Sequence, residues 1–301
     1  SFGELRGLKG LKPPKQIEIQ PYVVAQTESF EKVEGNPFAT GSSSKISGGV
    51  DGKVGVTSDL TLDFTINPDF GQVEADPSAL TLDGFRIFFS ERRPFFIENR
   101  NLFDYDYAWA EAGGPFTSDN LFYSRRIGGS PHGYPNLANG EYADIPNNTT
   151  ILGAAKFSGK TQKGLGIGIL ESVTAKEVAT IDFNGERREE VVEPLTNYFV
   201  GRVTQDFNEG QTVLGGIFTS TNRHLEDTGL DYLHKDAFSG GLDLRHWWNE
   251  RTYFIQTNLV FSKVSGSTQA IIRTQNAFEH YFDRPDATHL ELDTTATSLS
   301  G

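Results

Sequence analysis

The feature that most constrains the fold is a series of segments in which apolar and polar side chains alternate along the chain. Residues 60–66 (LTLDFTI) are a short example, and residues 251–263 are a longer one. In the longer segment, one side carries Tyr253, Ile255, Leu259 and Phe261, and the other carries Gln256, Asn258 and Ser262. Because successive side chains of a strand point to opposite faces, this period of two predicts β-strands with one apolar face.

The connections between these segments alternate between short and long. The short turns lie at 57–59, 161–163, 208–210 and 249–250, and the long connections at 29–42, 68–148, 176–194, 223–235 and 264–286. Antiparallel neighbours reverse direction at each connection, so this alternation places all long connections at one end of the strands. Outer-membrane barrels have this arrangement, with short periplasmic turns and longer external loops.

The sequence therefore predicts an all-β fold, an antiparallel transmembrane β-barrel of about ten strands over residues 16–301, preceded by a linker at 1–15. Strands of about 8–14 residues are long enough, because a tilted strand crosses a bilayer with about 9–11 residues. The chain starts without methionine and ends in a strand-like TSLSG, so we expect it to be a segment of a larger barrel. A soluble β-sandwich is the alternative, since amphipathic strands also pack face to face.

Composition excludes several classes of protein. No apolar run approaches the ~18 residues of a membrane-spanning helix. The chain has no cysteine and therefore no disulfide or thiolate metal site, and its six histidines are scattered. A net charge of −13 argues against nucleic acid as a partner. We expect no cofactor, and the lipid of the outer membrane, where the protein would reside, as the main partner.

Residues 68–148 interrupt the strands with a mixture of charges and aromatic rings. Five phenylalanines (85, 88, 89, 95 and 96) lie close to a predicted ion-pair network of Asp69, Glu74, Asp76, Arg86, Glu91, Arg92, Arg93 and Glu98. Each phenylalanine left in water would lose about 1.5–3 kcal/mol of burial, so we expect an ordered plug inside the barrel. Strand residues Asp63 and Asp243 are the expected partners of its arginines.

Two other functions are open for the same segment. Asp69, Glu74 and Asp76 supply only oxygen ligands on a turn, which suits Ca²⁺, although their order does not match the twelve-residue calcium loop. Glu91 and Glu98 could act as general acid and base on a glycosidic bond, which would make the protein a glycan-hydrolysing enzyme of the envelope.

Three shorter motifs receive simpler interpretations. His132 has no partner at metal spacing and is expected to be a surface residue. The charged GERREE at 185–190 is predicted to be a solvated loop tip. GLGIGI at 164–169 lacks the helix that a dinucleotide loop requires, so its glycines are expected to allow close approach of the plug.

A set of longer motifs resembles a known family. The motifs are DLTLDFTINPDFGQVEADPS, FFSERRPFFIEN, LFYSRRIG, TTILGAAKFSGKT, EPLTNYFVGRVTQDFNEG and YFDRPDATHLELD, in this order. They are similar to the uncharacterised outer-membrane domain that follows a family-9-like carbohydrate-binding module in Gram-negative envelope proteins. The resemblance implies a C-terminal β-barrel and secretion across the inner membrane. We expect a porin-like outer-membrane barrel that acts in envelope transport or as a scaffold, with other envelope proteins or glycans as possible partners. The resemblance implies no catalytic residue.

Overall fold

The computed structural model describes residues 16–68, 90–105, 120–277, 282, 286 and 289–301. The fold is all-β, as predicted, with a large antiparallel sheet of ten strands and a small one of three. The predicted linker at 1–15 lies outside the described residues, as do Asp69, Glu74, Asp76, Arg86 and the phenylalanines at 85, 88 and 89.

The strands, in chain order, are β1 (Ile17–Ser29), β2 (Ser42–Gly55), β3 (Leu60–Ile66), β4 (Tyr142–Asp144), β5 (Ile151–Lys160), β6 (Leu165–Thr174), β7 (Glu177–Phe183), β8 (Glu186–Glu193), β9 (Thr196–Phe207), β10 (Thr212–Arg223), β11 (His234–Trp248), β12 (Tyr253–Gly266) and β13 (Ser298–Ser300). The α-helices among the described residues are α1 (Pro94–Ile97) and α2 (Thr268–Gln275). Short 3-10 turns cover Arg100–Leu102 and Ser124–Arg126.

The order of strands in the large sheet follows the chain. It runs β1-β2-β3-β5-β6-β9-β10-β11-β12-β13, and every neighbouring pair is antiparallel. The connections alternate as the sequence predicts, so the tight turns lie at one end of the strands and the long connections at the other. We call these the short-turn end and the long-loop end.

The two faces of the large sheet differ in chemistry. Asp63 pairs directly with Lys156 across β3 and β5, and Arg202 of β9 lies on the same face. We call this the inner face, and these three charged residues are each at most 5% exposed. The opposite, outer face carries large apolar side chains in water, including Leu242 at 57% and Leu259 at 63% exposure.

The buried hydrophobic cluster lies on the inner face. It contains Phe96, Phe103 and Tyr105 together with Ile127, Ile151, Ala154, Leu170, Val200 and Ile217. Leu170 and Val200 form a cross-strand pair, and the three aromatic rings come from residues 90–105. We call residues 90–105 the covering segment, because its side chains bury this part of the inner face.

Several local predictions are wrong. Residues 176–194 are not a long loop but the hairpin β7–β8, which pairs with β4 in the small sheet. The hairpin turns at Asn184 and Gly185, both with positive φ, so GERREE begins a strand rather than forming a loop tip. The predicted final strand is reduced to β13.

Two further features concern helices and an aromatic residue. The connection after β12 contains α2, which begins with Ser267 accepting a hydrogen bond from the Ala270 amide. Neither α1 nor α2, nor any other helix among the described residues, is long and apolar enough to cross a membrane. Tyr198 packs against the buried cluster on the inner face.

Candidate functional site

Glycines on the inner face form the floor on which the covering segment lies. A Cβ at Gly168 would be 3.0 Å from the Phe103 ring, so this glycine of GLGIGI allows the close approach that its sequence suggested. A Cβ at Gly241 would be 2.4 Å from Tyr105 Oη. That hydroxyl lies 3.0 and 2.9 Å from the carbonyl oxygens of Leu242 and Leu259 and donates to either.

A lysine on β5 holds the main chain of the covering segment. Lys156 is 1% exposed, and its ammonium donates to the carbonyls of Phe95 and, at 3.0 Å, Glu98. Asp63 Oδ2 lies 3.6 Å from the same nitrogen. Lys53 of β2 binds the Glu98 carboxylate and lies 3.8 Å from Asp63. Two lysines and two carboxylates therefore join the segment to three neighbouring strands.

A second buried ion pair lies beneath Tyr105. Arg202 and Asp243 form two parallel contacts, with Nη2 3.0 Å from Oδ2 and Nη1 2.5 Å from Oδ1. A Cβ at Gly215 would be 2.6 Å from both partners, so glycine makes room for the pair. The Arg202 guanidinium lies 5.2 Å from the Tyr105 ring centre. Such a fork fixes geometry as well as contributing charge.

Glu91 and Arg93 join the covering segment to residues 124–127. Glu91 accepts from Arg93 Nε and Nη2, both at 2.7 Å, and from the Ser124 hydroxyl at 2.5 Å. Arg93 also donates to the carbonyls of Ile127 and Ser124, at 2.6 and 2.8 Å. Burial alone would raise the pKa of Glu91, but the hydrogen bonds and charge of Arg93 hold it below its usual value.

The members of the predicted ion-pair network are therefore distributed as follows. Glu91 and Arg93 bind each other, Glu98 binds Lys53, and the side chain of Arg92 is exposed. Asp69, Glu74, Asp76 and Arg86 are outside the described residues. Asp63 and Asp243 lie on the inner face beneath the covering segment, and their ion-pair partners are Lys53, Lys156 and Arg202 rather than the predicted arginines.

The contacts of Glu91 do not suit general acid catalysis. A general acid needs a raised pKa, whereas both oxygens of Glu91 accept hydrogen bonds that lower it. The proposed calcium ligands fall outside the described residues, and among the described ones no three carboxylate or imidazole groups form a metal cluster.

The outer face forms successive rows between the two ends of the sheet. At the long-loop end, Asn222 donates to Asp236 at 2.8 Å. Next come the rings of Phe199, Phe218 and Phe238, with centres 6.2–6.3 Å apart. Aliphatic side chains follow, and they are Val203, Leu214, Leu242, Leu244 and Leu259. At the short-turn end, Trp248 stacks on Tyr253 with ring centres 6.3 Å apart.

His132 is a surface residue, as predicted, with 43% of its side chain exposed. Its Nδ1 lies 2.7 Å from Oε2 of Glu193, whose side chain is 2% exposed, so the histidine is not without a partner. The contact joins residues 61 apart in sequence, and no local pattern could have predicted it. Lys156 was also missed, although its position on the polar side of β5 pointed toward the interior.

Comparison with known proteins places the chain in a family. The sequence profile described as a domain of unknown function (DUF5916) matches residues 13–285. The chain belongs to the DUF5916 family. The match covers the covering segment and every strand of the large sheet except β13, and its description names no activity. A comparison with curated protein sequences gives no significant match.

Proposed function

We propose that the large sheet is the wall of an outer-membrane β-barrel whose lumen is occluded by the covering segment. The observation that carries this proposal is the reversed chemistry of the two faces. Buried charged groups such as Lys156 and Arg202 lie on the inner face, while Leu242 and Leu259 are more than half exposed on the outer face. In a bilayer, the apolar side chains of the outer face would contact lipid rather than water, and the charged groups of the inner face would lie in a polar lumen.

The rows on the outer face support a bilayer as its environment. Between Phe238 and Trp248, β11 advances ten residues, or about 34 Å at ~3.4 Å per residue. With strands tilted by about 35–45°, this length corresponds to a height of about 24–28 Å. The apolar band of outer-membrane barrels is about 25 Å tall and is bordered by aromatic residues on both sides. Phe238 and Trp248 are such borders.

The covering segment supports an occluded lumen rather than an open pore. It is bound at both ends and in the middle, through Glu91–Arg93, Lys156 and Tyr105. These contacts use buried charges, which are costly unless each has its partner in place. A barrel of this kind serves regulated transport through the envelope or acts as a scaffold in an outer-membrane assembly.

Permeability of lipid vesicles containing the protein tests this function. Wild-type protein should admit small sugars slowly. The double variant Arg93→Ala, Tyr105→Ala should admit them faster, because it removes two attachments of the covering segment but leaves the strand pairing intact. Arg100→Ala is the matched control, because this exposed arginine of the covering segment has no side-chain partner among the described residues. Equal permeability of all three proteins, with strand content unchanged by circular dichroism, would refute occlusion by this segment.

A further inference from the structure

A cavity of about 610 Å³ that is open to solvent lies at the long-loop end. Three parts of the chain line it: the β1–β2 connection, the residues around Tyr142 on β4, and the β7–β8 hairpin. Its size is within the range of pockets that hold small molecules, about 300–1,000 Å³. None of its lining residues belongs to the predicted ion-pair network.

The connection between β1 and β2 is held in a defined shape. Phe30 and Val33 donate amide hydrogen bonds to Gly41 and Ala39, both at 3.1 Å. Asn36 Oδ1 accepts from the Phe38 amide at 2.9 Å, so the Nδ2 of this side chain is left to donate elsewhere. Within the described residues, that nitrogen has no hydrogen-bond partner.

Arg187 of β8 presents its guanidinium to the same cavity. Its Nε lies 3.3 Å from Oδ2 of the buried Asp182. Its guanidinium carbon, Cζ, lies over the ring of Phe38, 5.4 Å from the ring centre. Gly185 donates to the other oxygen of Asp182 at 3.1 Å. The carboxylate is thereby used within the hairpin, while both Nη atoms of Arg187 are unpartnered in the part of the chain that the structure describes.

The unused polar atoms of the cavity are mainly donors. Besides Arg187 Nη and Asn36 Nδ2, they include the Lys32 ammonium and the Tyr142 hydroxyl, neither of which has a partner among the described residues. The chain as a whole carries a charge of −13, so a lysine and an arginine with unused donors in one cavity are unusual here, although Arg187 also pairs with Asp182 through Nε. A guanidinium that is oriented by Asp182 and Phe38 can offer its two Nη atoms to a carboxylate or phosphate.

We propose that this cavity binds a small hydroxyl-rich molecule bearing a carboxylate or phosphate. The anionic group meets Arg187 and Lys32, and Asn36 and Tyr142 hydrogen-bond to the rest of the ligand. The site is formed by the small sheet and one connection, so the proposal does not depend on a membrane location or on occlusion by the covering segment.

Isothermal titration calorimetry of the purified protein tests the site with three probes. Glucose 6-phosphate carries the phosphate, glucuronate carries the carboxylate, and glucose is the neutral control. We expect saturable binding of at least one anionic probe and none of glucose at the same millimolar concentrations. The tighter anionic probe identifies the preferred group. Binding of glucose as tight as that of both anions, or no binding of either anion, would overturn the proposal.

Two charge-removing variants locate the binding. Arg187→Gln and Lys32→Gln should each lower the affinity for the anionic probe by about tenfold or more, since each removes a charge-assisted hydrogen bond. The matched controls are Arg188→Gln, on the next residue of β8 and bound to Glu141, and Lys235→Gln, an exposed lysine outside the cavity. Lys32 is exposed, so its variant keeps the test valid if Arg187→Gln disturbs the hairpin. Equal affinity in all four variants would refute this location.

Discussion

Replacing Arg93 by alanine should release the covering segment from residues 124–127. The substitution removes two hydrogen bonds to Glu91 and two to main-chain carbonyls, and it leaves the Glu91 carboxylate buried without its cation. Breaking a buried pair in this way costs about 3–5 kcal/mol. The opening constant of the segment should therefore rise by roughly two to three and a half orders of magnitude, at about 1.4 kcal/mol per factor of ten.

Hydrogen exchange measures this opening directly. The amides of Phe96, Ile97 and Glu98 donate within α1, so their exchange reports release of the segment. Arg100→Ala, on an exposed arginine of the same segment, removes the same charge and should leave these amides protected. In Arg93→Ala the burial of Glu91 remains while its cation is gone, so the pKa of Glu91 should rise. The defect should then be largest at neutral pH and smaller in acid, where the carboxyl is protonated.

A second variant separates two effects of Arg93→Ala, the unpaired charge that it leaves on Glu91 and the packing of the Arg93 side chain that it removes. In Glu91→Ala, Arg93→Ala, neither charge remains, and the protection of α1 should be partly recovered relative to Arg93→Ala alone. The reasoning would be refuted if these amides exchanged at the same rate in Arg93→Ala and Arg100→Ala. It would also be refuted if the double variant lost more protection than the sum of its two single variants.

Three further outcomes are expected. Gly241→Ala places a Cβ 2.4 Å from Tyr105 Oη and should cost about 1–3 kcal/mol of unfolding free energy in denaturant titration, whereas Gly201→Ala on the outer face should cost less. Leu259→Arg should cost about 2–4 kcal/mol in lipid if the residue lies near the bilayer midplane, and a change below about 0.5 kcal/mol would count against a lipid-facing position. In the wild type, the pKa of Glu91 is lower in the folded protein than in the unfolded chain, where it is about 4.3. The carboxylate therefore stabilises the fold fully above the unfolded pKa, and this stabilisation is lost as the pH falls through the folded pKa. Hydrogen-exchange protection of α1, corrected for intrinsic exchange, should fall over the same pH range.

The strand order was predictable because its signals are local. A period of two and a short turn are written into consecutive residues, as in residues 251–263, and they determine both strand pairing and faces. The role of the small residues in GLGIGI also followed from sequence, since glycine on a strand indicates close approach of another chain segment. Phe103 is that neighbour at Gly168.

The partners of the buried charges were not predictable in the same way. Asp63 and Asp243 were recognised as interior carboxylates, but which cation reaches them depends on register across β3, β5 and β9. Lys156 binds residues 58 and 61 positions away, and sequence spacing carries no information about such contacts. The β7–β8 hairpin was missed for a different reason. Its Asn-Gly turn is a local signal for a hairpin, but the charged residues around it led to the prediction of a loop.

The most direct test of the central claim is a spin-label scan of β12 in lipid vesicles. The chain has no cysteine, so single cysteines at positions 254–261 can be labelled without altering a native residue elsewhere. Accessibility to oxygen, which concentrates in lipid, should peak at 255, 257, 259 and 261, and these labels should be shielded from a water-soluble nickel chelate. If the chelate reaches the odd positions as readily as oxygen does, or if no period of two is seen, the outer face does not contact lipid.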